Sequence, residues 1–441
     1  MSKVKHTIRI VLVSMTLLVF MCSALILFSC SAVLHKVELP VLYGALDDVG
    51  AYDSDILAPG IMNAIKSHLL TDVEVTINAS NNNISKTTVT LLASVYETPE
   101  KRGESGKKST LFNASDQIFY GRALVAMRRK SAFRKWMKDF DIAYWRSDSS
   151  FHDTWLRIEE TDPFDAATVS SPVLVRGEAS WAVTLAYTRA LLEAWRLWGG
   201  REIERAIVKA SDALWQVFDE MKTDQSLRAG AQLPLALDVW EEPWPLPDED
   251  IVTQGTLLSE IDLWALLALS RFEPKWASIA SHWINVTRNA RLEGELPLMA
   301  PAVCATTQYY MALRDGERTL FLREQLIMAL HLAEVNITDD AFLSMIRSSL
   351  RDYKRLPVGW NMLNNAPLTT EATPSDYALV MCYGRAVGDQ QLIEDAKEAL
   401  LRFRVVSQSS VIFGGFYRVG STPYTSTLTA LDNTSAVLVF R

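Results

Sequence analysis

From residue 113 to the C-terminus the chain repeats one pattern, a helix, a short breaker and another helix, and few folds accept that many hairpins. Apolar residues recur at i, i+3, i+4 and i+7, the stripe that an amphipathic helix turns toward a core. Phe133, Trp136, Met137 and Phe140 form one such stripe, and Ile203, Ala206, Ile207 and Ala210 another. Trp276, Ile279, Ala280 and Trp283 follow, then Leu392, Ala396, Ala399, Leu400 and Phe403. The breakers are "WGG" at 198–200, "FEP" at 272–274 and "VGD" at 387–389, all turn-forming sequences. The periodicity predicts hairpins over 113–130 with 131–145, 178–198 with 201–220, 257–271 with 274–290, 304–314 with 318–334, and 375–387 with 390–405. It adds a short helix at 338–350 and a closing one at 427–440.

Eleven or twelve helices in hairpins either stack as an open solenoid or close as a toroid. No fixed-period repeat signature is present, and the inner-type segments carry polar residues inside apolar faces. The expected fold is therefore all-α, an (α/α)6 toroid, occupying residues 111–441. An open solenoid for protein partners is the competing architecture, with no closing contact between residues near 116 and near 432.

The preceding segment reads differently. "VEVTI" (73–77) and "TTVTLLASVY" (87–96) have strand composition around the turn sequence "NASNNNIS". "PEKRGESGKKST" (99–110) is a solvated loop. Residues 31–110 are expected to form a stalk and a small, partly β accessory element. Before them, Lys3, Lys5 and Arg9 precede an uncharged run from Ile10 to Phe28, nineteen residues long. That is longer than a usual secretory core and close to the roughly 20 residues of a membrane span. Residues 1–30 are read as a signal-anchor, with the N-terminus cytoplasmic and the rest of the chain outside. The alternative is a lipoprotein leader ending at Cys30, because Leu27-Phe28-Ser29-Cys30 is similar to a lipoprotein cleavage site.

Composition narrows the chemistry. With 44 Lys+Arg against 52 Asp+Glu the net charge is −8, so there is no basic footprint for nucleic acid. No CxxC or HExxH occurs, and the 6 histidines are scattered, so no metal site and no cofactor is expected. Cys304 and Cys382 could pair in an oxidising compartment or remain two buried thiols. Phosphate-binding glycine loops and the GxSxG elbow are absent. What remains is carboxylates at helix starts: Asp116, Glu178, Asp262 in "LLSEIDLWALLAL" and Asp432 in "LTALDNTSAVLVF". Each can be an ordinary first-turn acid complementing the helix dipole, and Asn113 or Ser115 can cap the first helix without Asp116. Asp262 and Asp432 sit inside strongly apolar runs, where an unpaired carboxylate is costly. The loop at 233–250 joins Trp240 and Trp244 to six acidic residues, as either a sugar-stacking rim or a stiff surface loop.

The order of these segments resembles glycoside hydrolase family 8. "SDQIFYGRALVAMRRKSAFRKW" is similar to that family's first catalytic motif, with its Ser-Glu-Gly-Gln-Ser-Tyr-Gly core. "GEASWAVTLAYTRALLEAWRLWG" resembles the second motif, an Ala-Ser-Asp-Ala-Asp core followed by a helix and a Trp-Gly end. "FGGFYRVGSTPYTSTLTALDNTSAVLVF" is similar to the closing segment of exported, membrane-associated bacterial relatives. The likeness spans roughly 110–441. It implies a six-hairpin glycosidase fold and places Asp116, or Ser115 if the register slips, at the general acid. Glu178 falls where the family has a sugar-contacting aspartate. The family's Tyr-Asp-Ala-Ile-Arg segment, which carries the base in many members, has no counterpart; the region reads "LPLMAPAVCATTQYY". Asp262 or Asp432 would then supply the second group.

The expectation is a membrane-anchored extracytoplasmic hydrolase of a bacterial exopolysaccharide or β-glycan, working by inversion. Its site would combine Asp116, Glu178, Asp262 and Asp432 with lining residues Tyr120, Trp181, Tyr187, Trp240, Trp244 and Tyr424. The alternative is an inactive glycan-binding or scaffold subunit of a polysaccharide synthase complex.

Overall fold

The computed structural model describes residues 37–45, 57–78, 84–101, 104–159, 173–223, 255–304, 310–311, 319–361 and 364–440. Residues 39–441 form one compact unit. Its twelve described helices are α1 (Leu57–His68), α2 (Ala114–Ala126), α3 (Lys130–Tyr144), α4 (Trp181–Trp198), α5 (Arg201–Thr223) and α6 (Leu263–Phe272), then α7 (Trp276–Arg288), α8 (Leu322–Glu334), α9 (Asp340–Tyr353), α10 (Pro374–Val387), α11 (Gln390–Leu401) and α12 (Ala430–Val439).

The even-numbered helices form a closed inner ring. Neighbours α2–α4–α6–α8–α10–α12 pack in sequence, and α12 packs back on α2. The open solenoid is thereby excluded. Burial follows from position in the ring. Inner α12 is buried at nine of its ten residues, from Ala430 to Val439, whereas outer α9 buries only Phe342, Ile346 and Leu350. A single stripe suffices for a helix covered on one side. Inner helices must also come close to the outer ones: a Cβ on Gly121 of α2 would lie 2.4 Å from the Trp136 indole on α3.

Within the segment expected as a stalk and accessory element, the described residues include a helix that packs on the ring. The α1 helix is the outer partner of α12 and completes the sixth hairpin, because its Ile61, Met62 and Ile65 form an apolar stripe that needs covering. The expected β segments are there, as an antiparallel hairpin of Leu70–Asn78 with Ile84–Leu92 in which Val73 faces Val89. It docks on α3, where Asp139 Oδ2 accepts the Thr90 N–H at 3.1 Å. The helix expected at 304–314 is a correction too: Ala302–Cys304 and Tyr310–Met311 are strands paired beside Gly255–Leu257.

Short strands precede the inner helices and gather at one end of the barrel, the rim: 111–113 before α2, 179–180 before α4, 319–321 before α8 and 426–429 before α12. Three buried amides clamp backbone segments there. Gln117 accepts from Leu92 N (2.9 Å) and donates to Leu92 O (2.6 Å). Gln325 does the same with Met299 (2.7 and 2.8 Å), and Asn433 with Phe416 (2.8 and 3.0 Å). Each amide mimics a β-bridge, so a buried strand edge keeps its partners.

The opposite end is plugged by residues 40–45. Tyr43 N donates to Glu334 O at 3.2 Å, and Trp264 Nε1 to Pro40 O at 3.3 Å. Cys382 is a free thiol and lines a small axial cavity of about 40 Å³ behind this plug. Among the described residues no helix is long and apolar enough to cross a membrane. The run at 10–28 lies outside the described residues.

Candidate active site at the rim

Four inner helices bring an acidic first turn to the rim, as the dipole at a helix N-terminus favours; Glu324 on α8 is half-buried, and the other three acids are buried. Asp116 on α2 is 4% exposed and Asp432 on α12 is fully buried. Asp376 on α10, 3% exposed, joins them. Asp376 belongs to a capping box: its Oδ2 accepts Thr373 N at 2.8 Å and Thr373 Oγ1 at 2.7 Å. Arg323, at the start of α8, donates to Asp376 Oδ1 at 3.3 Å and to Ser375 Oγ at 3.1 Å. Asp432 accepts Ser375 N at 3.0 Å and both arms of Arg418, at 2.6 and 2.7 Å.

Asp116 is placed differently. It accepts from the Ser94 hydroxyl and, at 3.4 Å, from Asn113 Nδ2. Arg323 acts on it only through space. Burial pushes its carboxyl up to about 6; the Ser94 and Asn113 hydrogen bonds and the Arg323 charge oppose that rise, and the Asp432 charge adds to it. A carboxyl of this kind holds its proton up to about pH 6, well beyond an ordinary aspartate, as suits a general acid.

Glu178 lies at the same end. Its carbonyl accepts Thr154 N at 2.8 Å, and the Thr154 carbonyl accepts Ala114 N at 2.9 Å, so one strand separates it from the start of α2. Its side chain is exposed.

Asp262 is not a rim residue. It caps α6, accepting Ala265 N at 2.8 Å, but α6 begins deeper in the barrel than α4. Its carboxylate meets Arg189, which lies eight residues, about 12 Å, below the start of α4. Arg189 Nη1 donates to both Asp262 oxygens at 3.0 Å, and Nη1 and Nη2 to Glu334 at 2.9 and 2.6 Å. Glu193 accepts from Arg189 Nε at 2.9 Å and from Arg122 at 2.8 Å. Arg189 and the nearby charges hold the Asp262 carboxyl below its ordinary value despite burial. Asp262, His331 and Glu334 offer ligand atoms within 4.8 Å of one another, but the Arg189 guanidinium already neutralises that space. The cluster is an internal ion network.

Two proposed lining residues are core residues. Trp181 meets Phe218 edge-on at 5.3 Å, and Tyr187 stacks on Phe140 at 4.9 Å; both point from α4 into the outer layer. Tyr120 is buried one turn below Asp116. Tyr424 is 81% exposed beside the strand 426–429. Trp240 and Trp244 lie outside the described residues. Sequence reasoning missed Asp376, Arg323 and Arg418. Only Asp376 had a signal, the pattern Thr373-Pro374-Ser375-Asp376, which serves a structural cap equally well.

No family model matches the chain, and no curated relative does. Solved structures do. An α-amylase from Clostridium perfringens superposes with a TM-score of 0.59 at 18% identity, over 88% of this chain and 98% of that one. A cold-adapted family 8 xylanase in complex with substrate gives 0.55 at 9% identity, over 90% and 93%. PssZ from Listeria monocytogenes gives 0.50 at 12% identity, over 86% and 94%. The chain has the family 8-like six-hairpin fold that its sequence led one to expect.

Proposed function

We propose that this chain is a membrane-anchored, extracytoplasmic glycoside hydrolase of a bacterial exopolysaccharide or β-glycan. The anchor rests on the apolar run at 10–28. The observation that carries the enzymatic reading is Asp116, a buried rim carboxyl with a pKa near 6. It donates its proton to the glycosidic oxygen as the bond to the anomeric carbon breaks. A water attacks that carbon from the opposite face, and a second carboxylate takes the water's proton. Glu178 suits this second role, since it is exposed at the same rim, whereas Asp432 has both oxygens committed to Arg418. Burial is the main reason the Asp116 pKa is raised, and the Asp432 charge adds a smaller push in the same direction. Inversion requires the two working carboxyls roughly 6.5–9.5 Å apart, with room for the water.

The fold also occurs in an α-amylase and in a xylanase, so the assay spans both linkage types. Reducing-end release is measured from mixed-linkage β-glucan, xylan and soluble starch, for the wild type and for Asp116→Asn. Equal rates in the two proteins would remove Asp116 as the acid. A second reading, an inactive glycan-binding subunit of a synthase complex, is favoured by the engagement of Asp376 and Asp432 with arginines. No release from any substrate, with retention on one of them in affinity electrophoresis, selects it.

A further inference from the structure

Beside the rim lies a pocket of about 540 Å³, well within the range that holds a sugar-sized ligand. Its apolar lining comes from Pro99, Val405, Val406, Val411 and Ile412, and Lys101 and Arg404 provide its charge. Among the described lining residues there is no acid, while four hydroxyl side chains and Tyr417 complete the wall. This is an unusual composition for a chain of net charge −8.

Arg404 is held in place without being neutralised. Its backbone bridges to Phe416, and Val405 pairs with Gly415 and Gly414 at 2.9 and 3.0 Å. Its Nε is buried with no hydrogen-bond partner among the described residues. Two nearby carboxylates are occupied elsewhere: Glu371 by Arg402 at 2.6 Å, and Glu97 by Ser421 and Thr425. A buried donor left unmade costs about 1–3 kcal/mol, and a planar guanidinium is the group best matched to a carboxylate. The pocket and the rim acids lie on opposite faces of one strand. On strand 417–419 successive side chains face opposite ways, so Tyr417 lines the pocket while Arg418 reaches Asp432.

From this we infer that the pocket binds a carboxylate-bearing pyranose, a uronic acid unit of an acidic glycan. The apolar side chains take the ring face, and Arg404 and Lys101 take the carboxylate. The inference rests on the glycosidase reading for its choice of a glycan, and it names the substrate class as anionic.

The test is binding rather than hydrolysis, so it can fail independently of the proposed activity. Asp116→Asn protein is titrated calorimetrically with tetraglucuronic acid and with neutral cellotetraose, at low and high NaCl. The acidic oligomer is expected to bind at least tenfold tighter than the neutral one, with affinity falling as salt rises. Arg404→Gln and Lys101→Gln should each weaken it about tenfold at unchanged melting temperature. Exposed Lys101 ensures that at least one variant folds. Equal affinity for the two oligomers, or no effect of either substitution, overturns the proposal. So does loss of sedimentation with phosphatidylglycerol-containing vesicles in Arg404→Gln when no oligouronide binds, which would make the pocket a membrane contact.

Discussion

Arg418 grips Asp432 with both arms of its guanidinium, Nε at 2.6 Å and Nη2 at 2.7 Å, although Arg418 sits on a strand and Asp432 on the last inner helix. The pair is asymmetric: Asp432 is fully buried, while the Arg418 side chain is 39% exposed. Arg418→Gln therefore leaves a buried carboxylate without its cation, and desolvation then raises its pKa. A raised folded-state pKa gives stability that is present at low pH and lost as pH rises through that pKa. The variant should melt close to wild type at pH 4 and well below it at pH 8. A loss of equal size at both pH values would show that Arg418 contributes packing rather than charge.

The same linkage predicts the behaviour of Asp116. Its carboxyl is raised from 3.8 to about 6, so wild type carries a penalty of about 3 kcal/mol for ionising it at pH 8, and none below pH 4. Asp116→Asn should be more stable than wild type at pH 8 and gain nothing at pH 4. Hydrolysis should meanwhile fall by roughly 10²–10⁴. In wild type, kcat/KM should decline above an apparent pKa near 6. Denaturant midpoints and initial rates across pH check all three outcomes.

Arg189 serves three buried carboxylates at once. Arg189→Met leaves Asp262 and Glu334 uncompensated and should cost about 3–5 kcal/mol or prevent folding. Lys86→Ala, which breaks a pair with Glu74 whose side chains are 54% and 58% exposed, should cost less than about 1 kcal/mol. Urea midpoints of the two variants, compared directly, give the ratio; comparable losses would contradict an internal network.

Each strand-clamping amide should matter by itself. Gln117→Leu strands the N–H and carbonyl of Leu92, and Gln325→Leu those of Met299, at about 2–4 kcal/mol apiece. These residues clamp different strands from different helices, so the double variant should show the sum within about 0.5 kcal/mol. Strong non-additivity in urea melts would mean that the two clamps share one cooperative element.

Much of the ring was legible because helix formation is local. The stripes of Phe133 to Phe140 and Leu392 to Leu400 bury the faces that their spacing indicates, with Phe403 falling past the helix end, and "VGD" stops α10 through Gly388 at φ +72°. At 304–314 composition misled, since a mixed apolar run does not tell a strand from a helix segment. The outer helix Leu57–His68 was missed for a related reason. Nothing local in it states that its stripe packs on a ring whose first inner helix begins more than forty residues later.

The site divided along the same line. By itself the sequence determined that carboxylates open inner helices, and it pointed to Asp116 and Asp432, whose helices meet. Tertiary structure alone decided depth. Periodicity fixes which face a residue takes but not how far one helix slides along another, and that offset puts Asp262 beside Arg189 inside the barrel while Asp116 stays at the rim. It also decided charge state: Arg418 reaches Asp432 across a fold the sequence does not show, and Asp116 is left in a dry setting where its proton is retained.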